Sequence, residues 1–225
     1  MLRLLLVTLT LLIAATATSA SPAATSTRRC AVGTTTISDN GVVRVYKSPT
    51  RYSARRFEVD ACSYGNGNWT PLDLPASDIY AFLGPALALR GSVVGYAEEE
   101  CDPNGDFACA SGVRAADVSA DDDLNAGFAG PKHHRLVKVG SLRVKGSGSL
   151  AWIACPERAR YRAWGHRRPN CVAAGDHDYV MILSTVDHKE KVIDRGRRID
   201  PGSLRLAGSH LSWVHGPRRR HATLP

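Results

Sequence analysis

The sequence predicts an all-β domain, built as a propeller-like array of short antiparallel-sheet repeats, and three observations predict it. A short unit recurs four times: ISDNGVVRVY (residues 37–46), LALRGSVVGYA (87–97), LRVKGSGSLAWIA (142–154) and LRLAGSHLSWVH (204–215). Each copy is an apolar half-strand, a Gly-centred turn and a second, alternating strand. Few segments hold an apolar stripe at helical period for three turns, whereas short alternating runs bounded by Gly turns are common. The aligned positions Val43, Val94, Leu150 and Leu211 lie about 50–60 residues apart, a period with room for about four strands per unit, as in propellers. A β-sandwich with internal similarity is the alternative architecture.

Taken in order, residues 42–46 alternate as a strand and residues 56–61 read as its partner. The stretch YGNGNW (64–69) is turn-forming, because glycine and asparagine tolerate positive φ. A short helix over 77–89 fits the local pattern, although Gly84-Pro85 cuts it. Strands follow at 93–97 and 113–118, on either side of a loop. Residues 121–130 read as a loose acidic-to-Gly segment. The third unit has strands at 142–144, 150–154, 179–184 and 191–193, and the fourth at 204–206, 211–215 and 220–224. One apolar face of each unit must be buried against a neighbour, so Tyr46, Tyr96, Trp152 and Trp213 are expected to pack between units. Residues 42–46 joining the C-terminal strands would close a ring and remove its free edges.

The N-terminus reads as a signal peptide over residues 1–20, cleaved between 17 and 24. Arg3 precedes an apolar stretch at 4–15, which is too short to span a bilayer comfortably, and small residues crowd 17–24. Residues 21–32 are expected to form a disordered tail and residues 33–225 a single all-β repeat domain. The expected location is secreted or on the cell-envelope exterior, with no transmembrane segment after cleavage. All six cysteines (Cys30, Cys62, Cys101, Cys109, Cys155 and Cys171) follow the signal, and an even set in an exported chain reads as disulfides. Six cysteines permit fifteen pairings. Spacing favours the local set Cys30–Cys62, Cys101–Cys109 and Cys155–Cys171, the last two clamping long loops. No CxxC or HxxxH spacing suggests zinc, and no metal or cofactor is expected.

The formal net charge is +8 and the pI about 9.4. The excess lies in residues 158–168, 195–198 and 218–221, where arginine dominates, which suits pairing with phosphate or carboxylate. The most concentrated candidate site is the loop between Cys155 and Cys171, with Arg158, Arg160, Arg162, Arg167 and Arg168 as polar contacts and Trp164 as the stacking anchor. Elsewhere the chemistry is thin. The tip Asp102-Pro-Asn104-Gly-Asp106 alternates oxygen ligands but lacks the Gly and Glu of a twelve-residue calcium loop. Asp176-His177-Asp178, with Glu157, offers acid–base groups, yet neighbours on a strand face opposite ways. No Gly-x-Ser-x-Gly elbow exists, Gly146-Ser-Gly-Ser149 reads as a turn, and His133-His134 reads as solvated loop. Asn68-Trp-Thr70 matches a glycosylation sequon, which matters only in a eukaryote; the alanine–arginine bias favours a bacterium.

The elements GSVVGYA, GSLAWIA and GSHLSWV, with the polar strands GVRAADV and DHKEKVIDRG, resemble degenerate blades of the WD40-like and TolB-like β-propeller class. They are similar to repeat-bearing exported proteins of actinobacteria. No unit carries the Ser-Pro-Asp-Gly turn of the TolB-like blade, and none closes in Trp-Asp. The resemblance implies a platform for binding protein or glycan rather than a shared catalytic set. The expected function is therefore a secreted, disulfide-bonded binding or scaffold module without assigned catalysis, its partner an extracellular protein or anionic glycan and not nucleic acid. A secreted polysaccharide-acting hydrolase or lyase is the alternative.

Overall fold

The computed structural model describes residue 30 and residues 35–50, 53–72, 86–101, 109–131, 137–156 and 178–225, which form four antiparallel sheets. The first sheet is a meander of β1 (Thr35–Asp39), β2 (Val43–Thr50), β3 (Ser53–Ser63) and β4 (Trp69–Leu72). The second holds β5 (Leu87–Arg90), β6 (Val93–Cys101), β7 (Cys109–Asp117) and β8 (Asp122–Phe128). The third holds β9 (Val137–Val144), β10 (Leu150–Pro156), β11 (Asp178–Leu183) and β12 (Glu190–Gly196). The fourth has three strands, β13 (Arg205–Ala207), β14 (His210–His215) and β15 (Arg218–Thr223). Each quoted repeat is the first hairpin of one sheet. Its turn glycine sits at positive φ in every copy: Gly41, Gly91, Gly148 and Gly208. The two-residue turns Gly91-Ser92 and Gly208-Ser209 need that conformation at their first position to match the strand twist.

Burial follows from alternation. In the second sheet, Val94 and Tyr96 face the first sheet, packing with Val43, Val45, Val59 and Ala61, while Val93, Val113 and Ala115 face the third. In the third, Leu150 and Trp152 face back to the second sheet, and Ala151 and Ile153 face forward to Leu211 and Trp213 of the fourth. Three buried clusters thus join consecutive sheets, each side chain of Val or Leu size contributing roughly 1.5–3 kcal/mol. No such cluster among the described residues joins the fourth sheet to the first, so the array is open. Close stacking depends on Gly95, because a Cβ there would lie 2.8 Å from Leu150 Cδ2 and 2.9 Å from Val144 Cβ.

The aromatic residues behave as expected in three units. Tyr96, Trp152 and Trp213 are almost fully buried between sheets, and the Trp152 indole N–H donates to the Ala129 carbonyl of the preceding sheet at 2.6 Å. Tyr46 differs. It lies on the end face of the array, half-buried, beneath the Arg44 guanidinium and opposite Asp60. The true counterparts of Val94 and Tyr96 in the first sheet are Arg44 and Tyr46, one residue out of step with the Val43 alignment; a one-residue slip exchanges the faces.

Four other expectations need correction. Residues 42–46 do not join the C-terminal strands: Val43–Thr50 pairs with β1 and β3, local hairpins whose closure costs less entropy than a link across the chain. Residues 122–128 form β8 rather than a loose segment, with Leu124 packed on the core and Asn125 buried. The helix pattern fails at residues 86–89, a turn residue followed by β5; residues 77–85 lie outside the described residues. The turn after Tyr64 ends earlier than expected, and Trp69–Leu72 pairs with β3.

The Cys30–Cys62 disulfide is present, Cys155 is disulfide-bonded, and the Cα of Cys101 stands opposite that of Cys109 in the β6–β7 register. Cys171 lies outside the described residues.

Candidate functional site: a basic cleft beside the first strands

The first strands of the second, third and fourth sheets, β5, β9 and β13, each form one edge of a sheet. Beside them lies a cleft of about 380 Å³. Its walls include Ala88, Leu89 and Arg90 from β5, Arg143 to Gly146 from β9 and its turn, and Leu206, Gly208 and Ser209 from the β13 hairpin. Arg90, Arg143 and Lys145 all reach it, and no carboxylate lines it among the described residues.

Alternation aims Arg143. Leu142 and Val144 pack into the core against the second sheet, so Arg143, on the opposite face, projects toward the fourth sheet and Arg205. Arg143 donates to the Leu142 carbonyl at 2.6 Å, and Arg205 donates to the carbonyls of Gly202 and Leu204, both at 2.9 Å. Lys145 Nζ donates to the Leu224 carbonyl at 3.3 Å. These cations are anchored by neutral backbone oxygens rather than carboxylates, so their charge is left for an outside partner. Burial first, and then the like charge of Arg205, pull the Arg143 guanidinium below its usual range. An arriving anion would relieve both, and guanidinium groups suit bidentate pairing with sulfate, phosphate or carboxylate.

A second polar cluster sits between the third and fourth sheets. The Trp213 indole N–H donates to Asp194 Oδ2 at 2.6 Å, His215 Nδ1–H donates to the same oxygen at 3.0 Å, and the Arg195 amide donates to Oδ1 at 2.8 Å. Burial acts to raise the Asp194 carboxyl, but the bonds from Trp213, His215 and Arg195 outweigh it and hold the group below the usual carboxylate range. Gly196 leaves room for the imidazole, since a Cβ there would strike the His215 ring. Asp178 stands opposite Gly196 in the register, is 7% exposed, and is pushed up to about 6 by burial. With its carboxylate committed to two donors from the next sheet, Asp194 acts as an inter-sheet tie.

The loop residues Arg158, Arg160, Arg162, Trp164, Arg167 and Arg168 lie outside the described residues, as do Glu157, Asp176, His177, His133, His134 and the Asp102–Asp106 tip. Glu98, on β6 ahead of that tip, accepts from the Arg114 guanidinium at 2.7 Å. The sequon asparagine is engaged: Asn68 and Asn66 both donate to the Ser119 carbonyl, and Thr70 donates to Asp121, tying the β3–β4 hairpin to the second sheet. Ser149 is buried and shares a hydrogen bond with Thr185 at 3.1 Å, as a turn residue would.

The cleft cations were missed because they form no run. Their signal lies inside the repeats, where LALR, LRVK and LRL each carry a cation on the half-strand before the Gly turn. Equivalent positions in stacked sheets converge in space, and so do Arg90, Arg143 and Lys145.

No family model matches the sequence, and no curated protein matches it. Among solved structures, the β-propeller domain of the Trilobed protease from Pyrococcus furiosus, described as having an open velcro topology, is similar at 9% identity with a TM-score of 0.42. The match covers 85% of this chain and 57% of that one, so the chain spans little more than half of that structure's length.

Proposed function

We propose that this protein is an exported, disulfide-bonded binding module that takes the anionic group of an extracellular glycan in the cleft between β5, β9 and β13. One observation carries the reading: Arg90, Arg143 and Lys145 converge on a concave surface with no carboxylate among its described walls. Arg143 and Lys145 are half-buried with no carboxylate partner among the described residues, which costs stability, and a bound anion offsets that cost. The arginines of the 158–168 loop, with Trp164, are a second set of contacts for the same ligand class. The two sets are separable by titrating a sulfated oligosaccharide into the oxidised protein at low salt. Arg143→Gln combined with Lys145→Gln is expected to weaken binding at least tenfold, as loss of charged hydrogen bonds of about 1.5–3 kcal/mol each implies. Unchanged affinity there, with loss on Arg167→Ser combined with Arg168→Ser, would move the site to the loop.

A polysaccharide-acting hydrolase or lyase is the second reading, and the Asp178 carboxyl, pushed up to about 6 by burial, is what favours it. Asp178 is not among the cleft residues, which leaves ligand binding the better supported reading. Turnover across a glycan panel that is lost in Asp178→Asn would reverse that order.

A further inference from the structure

The third basic run, residues 218–221, takes no part in the cleft, and its place in the fold points elsewhere. Three sheets have four strands; the fourth has three and ends at β15. Every residue of β15 except Ala222 is exposed. The Gly216-Pro217 turn joining β14 to β15 has its glycine at φ 60° and its proline second, the pattern of a two-residue hairpin turn. In such a hairpin the closing pair, His215 and Arg218, is hydrogen-bonded, and bonded pairs alternate from there. The backbone N–H groups of Arg219, His221 and Thr223 therefore point away from β14, along an edge that no described strand covers.

We propose that β15 is the docking edge for an extended acidic segment of a partner protein, which adds the fourth strand to this sheet. The occupant follows from charge. Arg218 and Arg220 flank one face of the strand while Arg219 and His221 flank the other, so acidic side chains of an added strand meet a cation on either face. The same cations disfavour a second copy of the chain at this edge, because pairing β15 with itself brings like charges together. Main-chain bonds would supply affinity and the arginines the selection of partner.

The probe is an alternating Glu–Thr octapeptide, with a Lys–Thr octapeptide as control, added to the full oxidised protein. Binding of the acidic peptide alone is expected, together with slowed hydrogen exchange at the Arg219, His221 and Thr223 amides. His221→Pro removes one outward N–H while keeping the ladder to β14 and the arginines, so it separates strand addition from charge attraction. It should lower affinity at least tenfold, and Arg219→Glu should lower it while leaving exchange in β14 unchanged. Binding that survives His221→Pro without new protection would overturn the proposal. So would protection of these amides in the free protein, which would mean that another part of the chain covers the edge. A dimer lost on His221→Pro would assign the edge to self-association instead.

Discussion

Replacing Gly95 with alanine probes the stacking of the second sheet on the third through a single added methyl. Two effects compete. Alanine narrows the unfolded ensemble and, where its conformation is allowed, stabilises by about 0.4–1 kcal/mol. Against this, the new Cβ would sit 2.8 Å from Leu150 Cδ2, 2.9 Å from Val144 Cβ and 3.0 Å from Leu142 Cδ2, all in buried side chains. Leu150 and Leu142 can rotate away in part. Val144 Cβ cannot, because it is fixed to the β9 backbone, so the sheets must separate. Overpacking of this kind costs typically 1–3 kcal/mol, and the net expectation is a loss of about 1–2 kcal/mol. For a chain of this size that is a fall in Tm of roughly 2–8 °C. Chemical denaturation of the oxidised protein measures it. Gly146→Ala, where an added Cβ meets nothing within 4 Å, is the control and should be neutral or slightly stabilising. A Gly95→Ala variant as stable as the parent would refute the packing of these two sheets as described.

Other outcomes follow from the same structure. The Asp178 carboxyl is raised from the ordinary 3.8 to about 6 in the folded state, so between those pH values the fold binds more protons than the unfolded chain and loses stability as pH rises. Asp178→Asn should therefore be more stable than the parent at pH 7, by on the order of 2 kcal/mol, with the gap closing below pH 4; a gap independent of pH would contradict the burial argument. Trp213→Phe keeps the ring in the core but takes a donor from Asp194, and should cost about 1.5–3 kcal/mol in urea. Its effect should be non-additive with His215→Gln, since both side chains share one oxygen of Asp194. Replacing Cys30 and Cys62 together with serine opens a link across 32 residues and should cost about 3–4 kcal/mol by loop-closure entropy, read as a lowered denaturant midpoint.

Elements whose apolar residues alternate next to a glycine turn were legible in the sequence. The hairpins around Gly91, Gly148 and Gly208 are of this kind, and so are the buried roles of Tyr96, Trp152 and Trp213. Edge strands were harder. In β8, Asp122 and Asp123 outweigh Leu124 and Asn125, and half-burial at a sheet edge dilutes the alternation that marks a strand. The register of β2 was misread because Val43 resembles Val94, yet it faces the following sheet rather than the preceding one. Ring closure failed for a related reason: the end face bearing Arg44, Tyr46 and Asp60 is polar, as a terminal repeat requires, and shows no apolar stripe among the described residues. The cleft was readable only by aligning the half-strands, because its cations are separated by up to a full repeat in sequence.

The most direct test of anion binding in the cleft is to map amide chemical-shift changes in the oxidised protein as a sulfated disaccharide is added. The largest shifts are expected around Arg90, Arg143 to Gly146 and Gly208-Ser209, and they should vanish in the variant combining Arg143→Gln with Lys145→Gln. Shifts confined to other surfaces, with these positions unmoved at saturation, would contradict binding in the cleft.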